Sequence, residues 1–172
     1  LRKDAAASVL GEYNFVGFDI EWHNPRLKGW SPGITELMQV CSSPALCVVF
    51  QMGPLLEMDD RVPASLCDFL CDPTIKKVGN NIYEDVTKLR KEFPDQEGEI
   101  ANYSELTSLT SRPRARRSLA ELVTMVTGKE IDKDLVRSDW TDRALSEDQL
   151  LYAATDAYAG QLVWKALEEQ KR

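Results

Sequence analysis

"NFVGFDIEW", residues 14–22, decides how the chain folds. Phe15, Val16, Phe18, Ile20 and Trp22 make a β-favouring apolar run, yet Asp19 and Glu21 sit inside it. Successive side chains on a strand point to opposite faces. Phe18, Ile20 and Trp22 therefore turn to the core, while Asp19 and Glu21 share the other face. A buried, unpaired charge neutralises or finds a partner. On this strand alone a solvated face is the simpler explanation, because strands with one wet side are common.

Outward from it, the Pro/Gly-rich "NPRLKGWSPG" (24–33) is a loop. "ITELMQVCS" and "LCVVFQM" follow as two strands about a Ser-Ser-Pro turn, completing an antiparallel meander. "ASLCDFLCD" has helical spacing, "TIKKVG" is a short strand, and "NIYEDVTKLRKEF" is an amphipathic helix that must stop by Pro94. "IANYSEL" is another short strand. Ser118 with Glu121 forms a capping box before "LAELVTMVTG", and Ser146 with Gln149 opens the longest helix. Strands, then β-α-β, then helices describe a mixed sheet covered by helices, an α/β chain.

At 172 residues, one domain is the default expectation, and it buries about 70% of its unfolded surface. The opening "LRKDAAAS" has no initiator Met, which suggests a domain cut from something longer and leaves room for flanking domains or protein partners. No apolar run approaches the roughly 20 residues of a membrane span. No signal-peptide pattern is present, so cytosol, nucleus or an organelle interior is expected. Cys41, Cys47, Cys67 and Cys71 lack a zinc spacing and read as reduced core thiols. A net charge of −7 and a pI near 4.8 argue against a broad basic nucleic-acid surface. They leave room for a carboxylate-rich site that recruits cations.

"YAATDAYAG" places Tyr152 and Asp156 four apart on one side of a helix. Ala153, Ala154, Ala157, Ala159 and Gly160 let that helix press closely on a sheet, and simple packing would explain them equally well. In "VGNNIYEDVTKL", Asp85 falls within the first two turns of a helix, where an acidic residue is ordinarily a dipole-favoured surface charge. Taken together, Asp19, Glu21, Asp85 and Asp156 can converge, and such a cluster is repulsive without cations. Clustered oxygen ligands suit Mg²⁺ or Mn²⁺, and two such ions can clamp a phosphodiester.

"FDIEW", "VGNNIYEDVTKL" and "YAATD" resemble the three motifs of the DEDD 3′–5′ exonucleases, in the subgroup with tyrosine in the third motif. "GKEIDKDLVRSDW" and "LSEDQLLYAATDAY" are especially similar to exonuclease domains of the Werner syndrome protein type and their ribonuclease D-like relatives. The resemblance runs from about Phe15 to Leu167 and has its motifs in the right order. It implies a ribonuclease H-like fold with a five- to six-stranded mixed sheet. It also implies two divalent metal ions, Mg²⁺ or Mn²⁺, and release of 5′-mononucleotides from DNA or RNA 3′ ends. Asp19 would be shared by both ions, Glu21 and Asp156 would complete the nucleophile-side ion, and Asp85 would support the other. Tyr152, with an ordinary pKa of about 10, would orient the attacking water rather than act as its base.

Leu37 and Met38 are where relatives wedge apolar groups under the terminal base, although core packing accounts for them as well. Asn81, Trp22 and His23 are further substrate-side candidates at the edge of the site. Trp140 reads as packing near it, Ser108 stands where many relatives have aspartate, and "RPRARR" (112–117) is a phosphate contact, a targeting patch or a solvated loop. The alternative function is a nuclease-like module that binds nucleic acid or a protein without cutting.

Overall fold

Strand β1 (Phe15–Trp22) runs through the middle of a five-stranded sheet. The computed structural model describes residues 14–22, 33–59, 61–94, 98–111, 117–131, 135 and 138–171. Within them β2 (Thr35–Ser43) and β3 (Leu46–Gln51) form the expected meander, and β4 (Lys76–Gly79) and β5 (Tyr103–Glu105) follow. The strand order is β3-β2-β1-β4-β5. β1 pairs antiparallel with β2 but parallel with β4, and β4 is parallel to β5, so the sheet is mixed as the pattern predicts.

Among the described residues the helices are α1 (Met52–Asp59), α2 (Ala64–Cys71), α3 (Ile82–Glu92), α4 (Leu119–Thr127) and α5 (Glu147–Glu169). A 3-10 turn, Leu106–Leu109, follows β5. Both anticipated capping boxes form, at Ser118/Glu121 and Ser146/Gln149. α4 stops at Gly128, whose φ of 70° is the left-handed conformation that favours glycine. α1 is not anticipated. Gly53-Pro54 reads as a breaker, but in a helix's first turn proline loses no hydrogen bond. No helix among the described residues is long and apolar enough to cross a membrane.

Each face of the sheet has its own core. Phe18 and Ile20 pack with Met38, Leu66, Leu70, Ile82, Val86 and Leu89 under α2 and α3. Each such burial is worth roughly 1.5–3 kcal/mol. On the opposite face, Phe15 and Val78 pack with Leu122, Val163 and Trp164 of α4 and α5. Asp19 and Glu21 follow Phe15 and Gly17 on this α5 face. The Lys77 ammonium, 1% exposed, donates to the carbonyls of Leu70, Asp72 and Ala101 at 2.9, 2.9 and 3.0 Å, which ties the end of α2 to β4 and β5.

α5 lies unusually close to β1. A Cβ on Gly17 would stand 1.9 Å from the carbonyl oxygen of Ala157, and one on Gly160 would stand 3.4 Å from that of Val78. Gln161 donates from Nε2 to the Ser42 carbonyl at 2.6 Å and pins the same helix to β2. Gly17→Ala is therefore expected to cost about 3 kcal/mol in chemical denaturation, the upper range for overpacking. Gly53→Ala, in the first turn of α1 with no atom nearer than 3.8 Å, should instead change stability by less than about 0.5 kcal/mol. Equal effects from the two would refute the close contact.

Candidate functional site

β1 and α5 build the site between them. Asp19 and Glu21 project from β1 toward α5, whose small residues Ala153, Ala157 and Gly160 let it descend onto the strand. Asp156 is carried down with it. Asp19, Glu21 and Asp156, all half-buried, each present a carboxylate oxygen, and these oxygens lie within 4.8 Å of one another.

Tyr152, one turn earlier on α5, is hydrogen-bonded to Asp156. Its ring packs against that of buried Trp140, with centroids 6.0 Å apart and planes at 33°. Asp85 approaches from the other side. It lies in the first turn of α3, just past the carboxyl end of β4, and is 4% exposed. Its Oδ2 is buried without a hydrogen-bond partner.

The electrostatics show what the cluster lacks. Burial, then the charge of Asp156, lifts Asp19 to about 8 against a single opposing backbone N–H from Ile20. Burial, then Asp19 and Asp156, lifts Glu21 to about 9. Asp85 rises to about 9 through burial, then Asp19 and Glu105. Tyr152 is also pushed upward, by burial first and by Asp156 next. The protein alone therefore cannot hold all these groups ionised near neutrality. The three clustered donors are all hard oxygens, so the set fits Mg²⁺ or Mn²⁺; Asp85 stands outside this group of three and offers a further orphaned oxygen.

Other sequence-predicted residues are placed differently. Met38 pairs with Ile20, so it faces the core away from the carboxylates, 1% exposed. Leu37 pairs with Glu21 and shares the site's face, but it is fully covered, packed with Trp140 and Ala153. Neither presents a surface to a base, and both take the core-packing alternative. Trp22 corrects the expectation of a core residue. The pairing register shifts between Glu21 and Trp22, leaving Trp22 42% exposed with the Lys88 ammonium 5.3 Å above its ring. Asn81 is exposed at the start of α3, and Ser108 is exposed in the 3-10 turn. His23 and residues 112–116 lie outside the described residues.

Two groups escape the sequence reading. Gln39, cross-strand from Asp19, is fully buried with neither amide atom partnered. Glu105, the last residue of β5, has a buried, unpartnered Oε1 and is raised by burial against four backbone N–H groups. An acidic residue ending a strand beside the second motif is a signal that could have found it.

A family model described as 3′-5′ exonuclease matches residues 3–171. The bifunctional 3′-5′ exonuclease/ATP-dependent helicase WRN of Mus musculus is 34% identical over 163 residues, covering 92% of this chain and 11% of that protein. The Aedes aegypti Nibbler EXO domain has the same fold, with a TM-score of 0.76 at 22% identity over 98% of this chain and 85% of that one. The EXD2 exonuclease domain soaked in Mn and Mg is 30% identical with a TM-score of 0.52, covering 97% of this chain and 83% of that one. The mixed sheet flanked by helices is thus of the ribonuclease H-like kind. The chain spans less than half the length of the curated relatives it matches.

The raised carboxyls make a prediction about pH. Asp19, Glu21 and Asp85 move from 3.8, 4.5 and 3.8 to about 8, 9 and 9 in the fold, so between those limits the folded state holds more protons than the unfolded. Stability of the metal-free protein must then fall as pH rises. In EDTA, Tm is expected to drop between about pH 6 and pH 9, and Mg²⁺ or Mn²⁺ should suppress the drop. A Tm that is flat or rising in EDTA would contradict it.

Proposed function

The chain belongs to the 3′-5′ exonuclease family, and from that premise we propose that its carboxylate cluster binds two divalent cations and hydrolyses phosphodiester bonds at DNA or RNA 3′ ends. The observation that carries this reading is the convergence of Asp19, Glu21 and Asp156 within 4.8 Å. Bound Mg²⁺ or Mn²⁺ would supply Lewis-acid stabilisation to the attacking and leaving oxygens. Glu21 and Asp156 would hold one ion with Asp19. Asp19 also faces Asp85, whose unpartnered oxygen would hold the second ion directly or through water.

Tyr152 keeps its proton, since burial and the neighbouring carboxylates push its pKa up. It therefore orients the attacking water by hydrogen bonding and does not remove its proton. Asp156 fixes the hydroxyl and Trp140 fixes the ring, so the oxygen is held in place before substrate arrives. Beside Glu21, the exposed Trp22 offers a base the ring face that Lys88, itself ion-paired with Glu92, leaves uncovered. Asn81, exposed at the start of α3, is a further substrate contact in this reading.

Digestion of matched 3′-labelled and 5′-labelled DNA and RNA oligonucleotides tests the assignment. With Mg²⁺ or Mn²⁺, 5′-labelled strands should shorten stepwise and 3′-labelled ones release mononucleotide at once, and EDTA should stop both. Asp19→Ala and Asp156→Ala should reduce cutting to background, and Tyr152→Phe should slow it by about 10²-fold. Undiminished digestion by either alanine variant, or binding without cutting by the unmodified protein, would overturn the reading.

A further inference from the structure

Beyond the four motif carboxylates, the acidic wall continues at the edge of the sheet. Glu105 ends β5 and pairs with Gly79 at the end of β4. After Asp19, its charge is the strongest acting on Asp85. Three buried side-chain oxygens without hydrogen-bond partners come from this end of the parallel strands: Asn80 Oδ1, Asp85 Oδ2 and Glu105 Oε1. Of these, Asp85 is 4% exposed, so a neighbouring cation or its water is the partner its chemistry requires.

The local backbone explains why a carboxylate is seated there. α3 begins at Asn81, which has a φ of 61° and makes no side-chain cap bond. The task of facing the free N–H groups falls to Glu105. The backbone N–H groups of Thr107, Asn81, Ile82 and Leu106 turn toward its carboxylate, from the 3-10 turn and from α3. Such groups favour the anion. Glu105 is therefore aimed at the helix that carries Asp85, with burial raising its carboxyl against those N–H groups.

We propose that Glu105 is a positioning residue of this site, acting through Asp85 to hold the hydrated divalent cation on the Asp85 side. This rests on the metal-dependent reading above. Groups behind metal ligands commonly govern affinity by 10- to 100-fold. Gln at this position keeps an oxygen for the N–H groups but removes the charge. Asp keeps the charge but withdraws it by one methylene.

Calorimetric titration of metal-stripped protein with Mn²⁺, without nucleic acid, separates the possibilities. The unmodified protein is expected to bind Mn²⁺ in two steps. Glu105→Gln should leave Tm and the tighter step unchanged and weaken the other by about tenfold, and Glu105→Asp should weaken it less. Raised Mn²⁺ should restore cutting by Glu105→Gln. An unmodified isotherm for Glu105→Gln would overturn the proposal, as would equal weakening of both steps with a large fall in Tm. If Glu105→Gln does not fold, Glu105→Asp decides by the same criterion. Absence of any Mn²⁺ binding by the unmodified protein would instead refute the metal-dependent reading itself.

Discussion

The site depends on one contact, the backbone of α5 resting on the backbone of β1 at Gly17. No side chain could stand between them, since a Cβ there would meet the Ala157 carbonyl at 1.9 Å. Asp156 immediately precedes Ala157, and Asp19 lies two residues beyond Gly17 on the same strand face. Bringing the backbones together therefore brings the carboxylates together. Ala153 and Gly160 extend the approach along the helix, and Gln161 locks it through the Ser42 carbonyl.

That approach has an electrostatic cost. Placing Asp19, Glu21 and Asp156 side by side under a helix removes water from groups that repel one another, and Asp85 is buried deeper still. A fold selected for stability alone would put apolar residues at these positions. Most of the buried polar atoms without partners among the described residues, those of Gln39, Asn80, Asp85 and Glu105, gather around these carboxylates, with Arg117 Nε and Trp164 Nε1 lying elsewhere. Local rules broken at one place are what a functional site looks like. Divalent cations would supply the missing positive charge, and with them the raised carboxyls would ionise.

Much of this was legible in the residues. The period-two run at 15–22, the meander, the two capping boxes and the long helix read directly, because each is set by neighbours in sequence. The carboxylates at 19, 21 and 156 were legible as a set through their motifs. What resisted is long-range or geometric. α1 was hidden by a Gly-Pro pair that breaks a helix anywhere but its first turn. Pairing register sends Met38 to the far face and closes Trp140 over Leu37, and neither is encoded in the spacing. Trp22 escapes the core through a register shift of one strand against another. Glu105 comes near Asp85 because β5 lies beside β4, a pairing at which an acidic residue ending a short strand only hints.

Diffraction from crystals of the protein soaked in Mn²⁺, with data at an energy where manganese scatters anomalously, tests the central claim most directly. Two anomalous peaks are predicted, one among Asp19, Glu21 and Asp156 and one between Asp19 and Asp85. A map with no manganese at these carboxylates, in crystals where α5 still rests on Gly17, would contradict the account.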